Sequence, residues 1–218
     1  MSLKEDVDDE TMTTKMFREK DIAIWEAARP YLDVRNNDEH TLHVYALGQK
    51  LIEIEPKANA DIILPSILLH DTGWKMIPQD KVLQAFGPNR KYPELQRQHE
   101  LESVKIAENI LTKLNYPEAD IQQINAIIDG HDTSAEQRSI NDGIMKDSDK
   151  LWRYTPHGIG IISSWFGIDN EGVIEILINF VRPTLLRDDS RFLADSLISI
   201  AKLKENISTY LNEIKIEK

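Results

Sequence analysis

Apolar positions recur along most of this chain at spacings of three and four, the repeat of helices with one buried face. From about Thr14 to Ala28 the pattern sets Phe17, Ile24 and Trp25 on one side, and Pro30 closes this first helix. A second helix starts near Asn37. Counted from His40, Val44, Leu47, Leu51 and Ile54 follow at +4, +7, +11 and +14, so His40 lies within the apolar stripe. His43 lies about 60° off that centre, on the side of Lys50. After Pro56 comes an almost wholly apolar run, Ile62-Ile63-Leu64-Pro65-Ser66-Ile67-Leu68-Leu69, which ends on His70-Asp71 and breaks at Gly73. It predicts a buried helix with Pro65 near its first turn, where a missing N–H is tolerated.

Residues 74 to 93 predict a loop with one short helix around Lys81 to Phe86, bounded by Gly87-Pro88 and Tyr92-Pro93. A long helix from Glu94 to Leu114 points His99 inward with Leu95, Ile106, Ile110 and Leu114. A shorter helix from Glu118 aligns Ile124, Ile127 and Ile128 with His131 and ends at Asp129-Gly130, just before His131-Asp132. The stretch from Ile140 to Tyr154 holds Asp142, Asp147 and Asp149. Asp147 shares a face with Ile144 and Leu151, and Asp149 with Met145 and Trp152, a pattern that slightly favours Asp147 as the inward carboxylate. Beyond His157, expected at the surface, a Gly158-Ile159-Gly160 segment precedes two amphipathic helices, about Glu171 to Leu185 and Arg191 to Leu211. These C-terminal helices, within 157–214, are expected to be scaffold and to offer a homodimer face. The expected fold is an all-α, single-domain bundle of about eight to ten helices over residues 13–218, preceded by an acidic, mobile segment 1–12.

Composition narrows the function classes. A chain of 218 residues with 41% apolar content can bury one substantial core. The formal charge of -11 argues against a nucleic-acid polymer as partner, because neutralising a phosphate backbone takes a concentrated basic face. The absence of cysteine removes disulfides, thiolate metal sites and a cysteine nucleophile, and fits a cytoplasmic protein. No apolar run approaches the roughly 20 residues of a membrane span.

Candidate chemistry comes from the histidines. A lone histidine on an apolar face is commonly a hydrogen-bonded core residue. Here four separate segments each deliver one inward-facing histidine, out of six in the chain. Burying His70 and Asp71 unpaired would cost several kcal/mol, so the pattern points to a shared cation. Imidazole and carboxylate without sulfur suit Fe, Mn, Ni, Co or Zn rather than a calcium cage.

These elements resemble the HD-domain metal-dependent phosphohydrolases, whose pattern is a histidine on one helix, a His-Asp pair ending the next, and a distal aspartate. His40 followed by Val44 resembles the first element, Leu68-Leu69-His70-Asp71-Thr72-Gly73 the second, and Asp147-Ser148-Asp149-Lys150-Leu151 the third, over about residues 37 to 154. The resemblance implies that Asp149, directly before Lys150, is the distal ligand, and that His99 and His131 match the extra histidines of the family's dinuclear branch. The implied metal ligands are His40, His70, Asp71, His99, His131 and Asp149, holding one or two divalent transition-metal ions. Two such ions would activate water and neutralise phosphoryl oxygens, with Asp71 as the natural bridging ligand.

Two positions depart from the family pattern. Asn37 stands where many relatives carry a phosphate-gripping arginine, and Trp74 stands where a basic residue usually follows the His-Asp pair. Phosphate recognition is therefore expected from Lys75, Lys150, Arg153 or the Arg90-Lys91 loop, with Lys150 also acting in catalysis. The implied activity is hydrolysis of a phosphate ester or anhydride in a small nucleotide-like substrate. The alternative is a diiron oxygenase acting on a polyol or phosphonate. A binding-only module fits less well, since every implied ligand is present.

Overall fold

The structure is a computed structural model that describes residues 16–87 and 90–213. The segment expected to be mobile, 1–12, the expected helix start at Thr14, the Pro88 break and residue 214 lie outside the described residues. Nine α-helices and no strand are present among the described residues.

Helix α1 (Glu19–Leu32) starts five residues later than expected and continues through Pro30 to bury Leu32. Proline is tolerated there because it removes a single bond in the last turn. Helix α2 (Asn37–Ile54) buries His40, Val44, Tyr45, Gly48 and Leu51, while Ile54 at its last position is exposed. Helix α3 (Ala60–Leu69) is buried from Ile62 onward and capped by the Asn59 side chain accepting from the Asp61 N–H. Pro65 thus falls in the second turn, not the first. The Arg18 guanidinium satisfies the neighbouring Ala60 carbonyl at 3.0 Å.

A 3₁₀ turn, Thr72–Met76, follows α3, and the expected short helix reduces to a second 3₁₀ turn, Val82–Gln84. Helices α4 (Glu94–Lys113), α5 (Glu118–Ile128) and α6 (Ile140–Trp152) match the expected elements closely. The glycine-containing segment after His157 is helical. It forms α7 (Pro156–Phe166), nucleated by Pro156 in its first turn and by Thr155 Oγ1 accepting from the Gly158 N–H at 3.0 Å. Helix α8 (Asn170–Ile176) runs into a π turn, Leu177–Val181, and a 3₁₀ turn, Arg182–Thr184, before α9 (Asp188–Glu213).

Helix α3 is the axle. It packs against α1, α2, α5 and α6, which explains why it has no polar face. Helix α2 approaches closely at Gly48, where a Cβ would lie 2.4 Å from Ile67 Cδ1. The 3₁₀ turn after α3 packs on α4 at Gly73. A Cβ there would lie 2.0 Å from the His99 carbonyl oxygen, and the Gly73 N–H donates to Ser103 Oγ at 2.8 Å. Glycine at this position lets the chain carrying Asp71 press against the helix carrying His99. No helix among the described residues is long and apolar enough to cross a membrane.

Candidate metal centre

The four inward histidines and Asp71 arrive from the ends or middles of different helices: His40 from α2, His70 and Asp71 from the end of α3, His99 from α4, and His131 from the turn after α5. All are buried. His70 Nδ1 donates to the Ile67 carbonyl at 2.7 Å, and His131 Nδ1 donates to the Ile128 carbonyl at 2.8 Å. Each bond puts a proton on Nδ1 and leaves Nε2 as the ring atom facing inward, as carbonyls behind metal-binding imidazoles do.

The Nε2 atoms fall into two pairs. His40 and His70 are 3.2 Å apart, and His99 and His131 are 3.3 Å apart. Asp149 Oδ1 lies 3.2 Å from His40 Nε2 and 3.7 Å from His70 Nε2. Asp132 Oδ2 lies 3.8 Å from His99 Nε2. Asp71 joins the two groups. Its Oδ1 lies 3.5, 3.6 and 3.7 Å from the Nε2 atoms of His99, His131 and His70, and its Oδ2 lies 3.6 Å from that of His40. Ligands about 2.1 Å from one ion stand about 3.0 to 3.5 Å from each other, so these spacings suit a cation inside each group. Three overlapping groups meet this test: His40, His70 and Asp149; His70, Asp71 and His131; and His99, His131 and Asp132.

Electrostatics agree. Burial pushes the Asp71 carboxyl up, but the imidazoles of His70, His131, His99 and His40 outweigh it and hold it well below the usual carboxylate range. Burial likewise opposes ionisation of Asp149, and His40, His70 and Arg153 overcome it. Burial lowers His40 and His99 despite nearby carboxylates. Burial also acts to lower His131, yet Asp71, Asp132 and Glu100 push it up to about 10. The carboxylates thus create a field that demands positive charge, met either by protons or by metal.

Asp147, which the apolar pattern favoured, is elsewhere. It is buried and accepts the backbone N–H groups of Leu186 at 2.9 Å and Arg187 at 3.0 Å, tying the entry to α9 onto α6. The face it shares with Ile144 and Leu151 is a packing face, whereas Asp149 faces His40. Trp74 is buried, stacks on His99 with ring centroids 4.0 Å apart and donates Nε1–H to Asp71 Oδ1 at 3.1 Å. It holds two candidate ligands in place, a task a lysine there could not perform. His157 is only partly exposed. It accepts from Trp152 Nε1 at 3.0 Å, pairs with Glu39 at 2.7 Å and stacks on His43. Trp152 in turn packs edge-on against His40.

The centre opens into a cavity of about 810 Å³. Lys150 and Arg153 line it, and so does Arg90 from the expected Arg90-Lys91 loop. Lys150 Nζ donates to the Thr184 carbonyl at 2.8 Å, and burial pulls its pKa down against the attraction of Asp147 and Asp149. Arg153 Nη2 lies 3.4 Å from Asp149 and 3.9 Å from Asp132, between two candidate ligands. Lys75 is drawn off by Asp33, 2.6 Å away, and does not line the cavity. Its place in a 3₁₀ turn, one residue past buried Trp74, aims it outward.

Three participants escaped the sequence reading. Asp132 repeats the His-Asp pairing of His70-Asp71, and that repetition was the available signal. Glu100 is fully buried and accepts the Asp132 and Thr133 N–H groups at 2.9 and 2.8 Å and the Thr133 hydroxyl at 2.7 Å, clamping the turn that carries His131. Arg35 lies in the turn before α2, where no periodicity applies. Its Nε and Nη1 are buried without a hydrogen-bond partner, at a cost of roughly 1 to 3 kcal/mol each.

An HD domain family model matches residues 37–153, more than half of the chain, and the chain belongs to the HD domain family. That family is of the metal-dependent phosphohydrolase type. Comparison with curated proteins and with solved structures found no match.

Proposed function

We propose that the protein is a metal-dependent hydrolase of a phosphate ester or anhydride in a small, nucleotide-like molecule. The observation that carries this reading is the bridging position of Asp71 between two His-carboxylate groups at the floor of a cation-lined cavity. His40, His70 and Asp149 would hold one divalent ion, His99, His131 and Asp132 a second, and Asp71 both. Bound there, the ions would supply Lewis acidity that makes water nucleophilic near neutral pH and offsets charge on the phosphoryl oxygens. The chain's own residues do the rest. Lys150 and Arg153 place fixed positive charge beside the reacting phosphoryl group, where the half-buried setting strengthens each attraction. Trp74 keeps Asp71 from rotating, and the tryptophan and isoleucine walls restrict water.

The test is a screen of nucleotides and sugar phosphates with manganese, nickel, cobalt or iron, measuring released phosphate. Release from at least one compound is expected, and Lys150→Ala should lower its turnover by about ten-fold or more with the metals still bound. No release from any compound, combined with oxygen uptake by the iron-loaded, reduced protein on a polyol or phosphonate, would overturn the hydrolase reading in favour of an oxygenase.

A further inference from the structure

Arg35 is a partly exposed cation whose Nε and Nη1 atoms are buried with no ion-pair or hydrogen-bond partner. Its guanidinium carbon lies 4.4 Å from the ring centroid of Trp74, 4.5 Å from Phe86 and 5.2 Å from Trp165, so three aromatic rings enclose it. The rings brace one another edge to face, Phe86 against Trp74 at 5.9 Å and against Trp165 at 5.7 Å. Aromatic faces favour the charge but accept no strong hydrogen bonds, so Nε and Nη1 remain unsatisfied. The backbone is shaped to deliver it. Arg35 and Asn36 have φ of 56° and 60°, consecutive left-handed residues that non-glycine side chains rarely adopt. Burial lowers the Arg35 pKa against the attraction of Asp71, Asp132 and Asp149, and the guanidinium keeps its charge.

Arg35 lines the cavity together with Asn37, Asp71 and His131. The adjoining wall, which starts at Trp165 beside Arg35, is apolar and comes from α7 to the π turn: Ile162, Trp165, Phe166, Val173 and Leu177. Resting on the phosphohydrolase reading, we propose that Arg35 is the anion anchor of this cavity and that the substrate is an organic phosphate whose flat or apolar body lies against the wall formed by Trp165 and Phe166. A planar guanidinium matches two phosphate oxygens at once, and an entering phosphate supplies the acceptors that the protein withholds.

The test measures binding, so it stands apart from turnover. Inorganic phosphate and 1-naphthyl phosphate are titrated calorimetrically into manganese-loaded wild-type protein, Arg35→Gln and Arg35→Lys. Wild type is expected to bind naphthyl phosphate at least about ten-fold more tightly than inorganic phosphate, through the apolar wall. Arg35→Gln should weaken both by about 10- to 100-fold, and Arg35→Lys, which keeps the charge but loses the fork, by about ten-fold, with manganese per chain unchanged. Either folded variant binding both compounds like wild type overturns the anchor, and equal wild-type affinities overturn the apolar body. Should neither variant fold, the Arg35 Nε–H resonance of wild-type protein decides: it shifts as phosphate is added if Arg35 is the anchor, and stays still if the cage is only structural. A protein that binds as expected yet releases no phosphate would fail the hydrolase reading alone.

Discussion

Asp71 carries the greatest demands of any residue here. Its two oxygens face four imidazoles, and Trp74 fixes its orientation. Replacing it with alanine removes the shared ligand, so Asp71→Ala, and equally His70→Ala, should strip the protein of stoichiometric metal and of activity. Elemental analysis checks this, and full metal in either variant would remove these residues from the centre. Protonation gives a second expectation. With its pKa pushed up to about 10, His131 carries a proton at pH 7, and a metal-ligating imidazole must be neutral. Metal uptake at pH 7 should therefore release protons, and apparent affinity should rise as pH rises and fall by about ten-fold per unit for each proton displaced as pH drops. Titration in weakly buffered solution reads the release directly. Uptake without released protons would show that His131 is already neutral.

At the scale of elements, the centre depends on how α4 and the turn after α5 are clamped. Glu100 on α4 takes three bonds from Asp132 and Thr133 and a fourth from Arg97 at 2.7 Å. Glu100→Ala would remove the buried acceptor of these bonds and free the turn that presents His131 and Asp132. A loss of about 3 kcal/mol of stability is expected. The ion on the His99 side should also be lost before the one on the His40 side. Denaturant unfolding with parallel metal analysis tests both, and an unchanged metal content would make the clamp a purely structural feature. Gly73 serves the same junction from the other side, since any side chain there collides with backbone of α4.

For the whole molecule, the two groups joined by Asp71 predict two ions per chain. Wild type saturated with metal should hold about two, and His99→Ala about one. A wild-type chain that takes up one ion would return His99 and His131 to the role of core residues. Because the ligands come from α2, α3, α4, α5 and α6, metal that binds only the native state should also stabilise the bundle, by about 2.7 kcal/mol at a hundred times its dissociation constant.

The helices and their inward faces were legible in the sequence because a 3.6-residue period is a local property. His40, His99 and His131 declared their burial through neighbours three, four and seven positions away. The run Ile62 to Leu69 announced a segment buried on all sides, and the family resemblance selected Asp149 where periodicity leaned toward Asp147. Only the tertiary structure decided which inward face meets which. Asp147 and Asp149 are both buried on α6, but one meets the entry to α9 and the other meets His40. Local rules also misjudged Pro30 and Pro65, because packing outweighs intrinsic propensity. Arg35 was hidden for the same reason. Its significance lies in three rings at positions 74, 86 and 165 that are distant in the chain and meet only when the bundle closes.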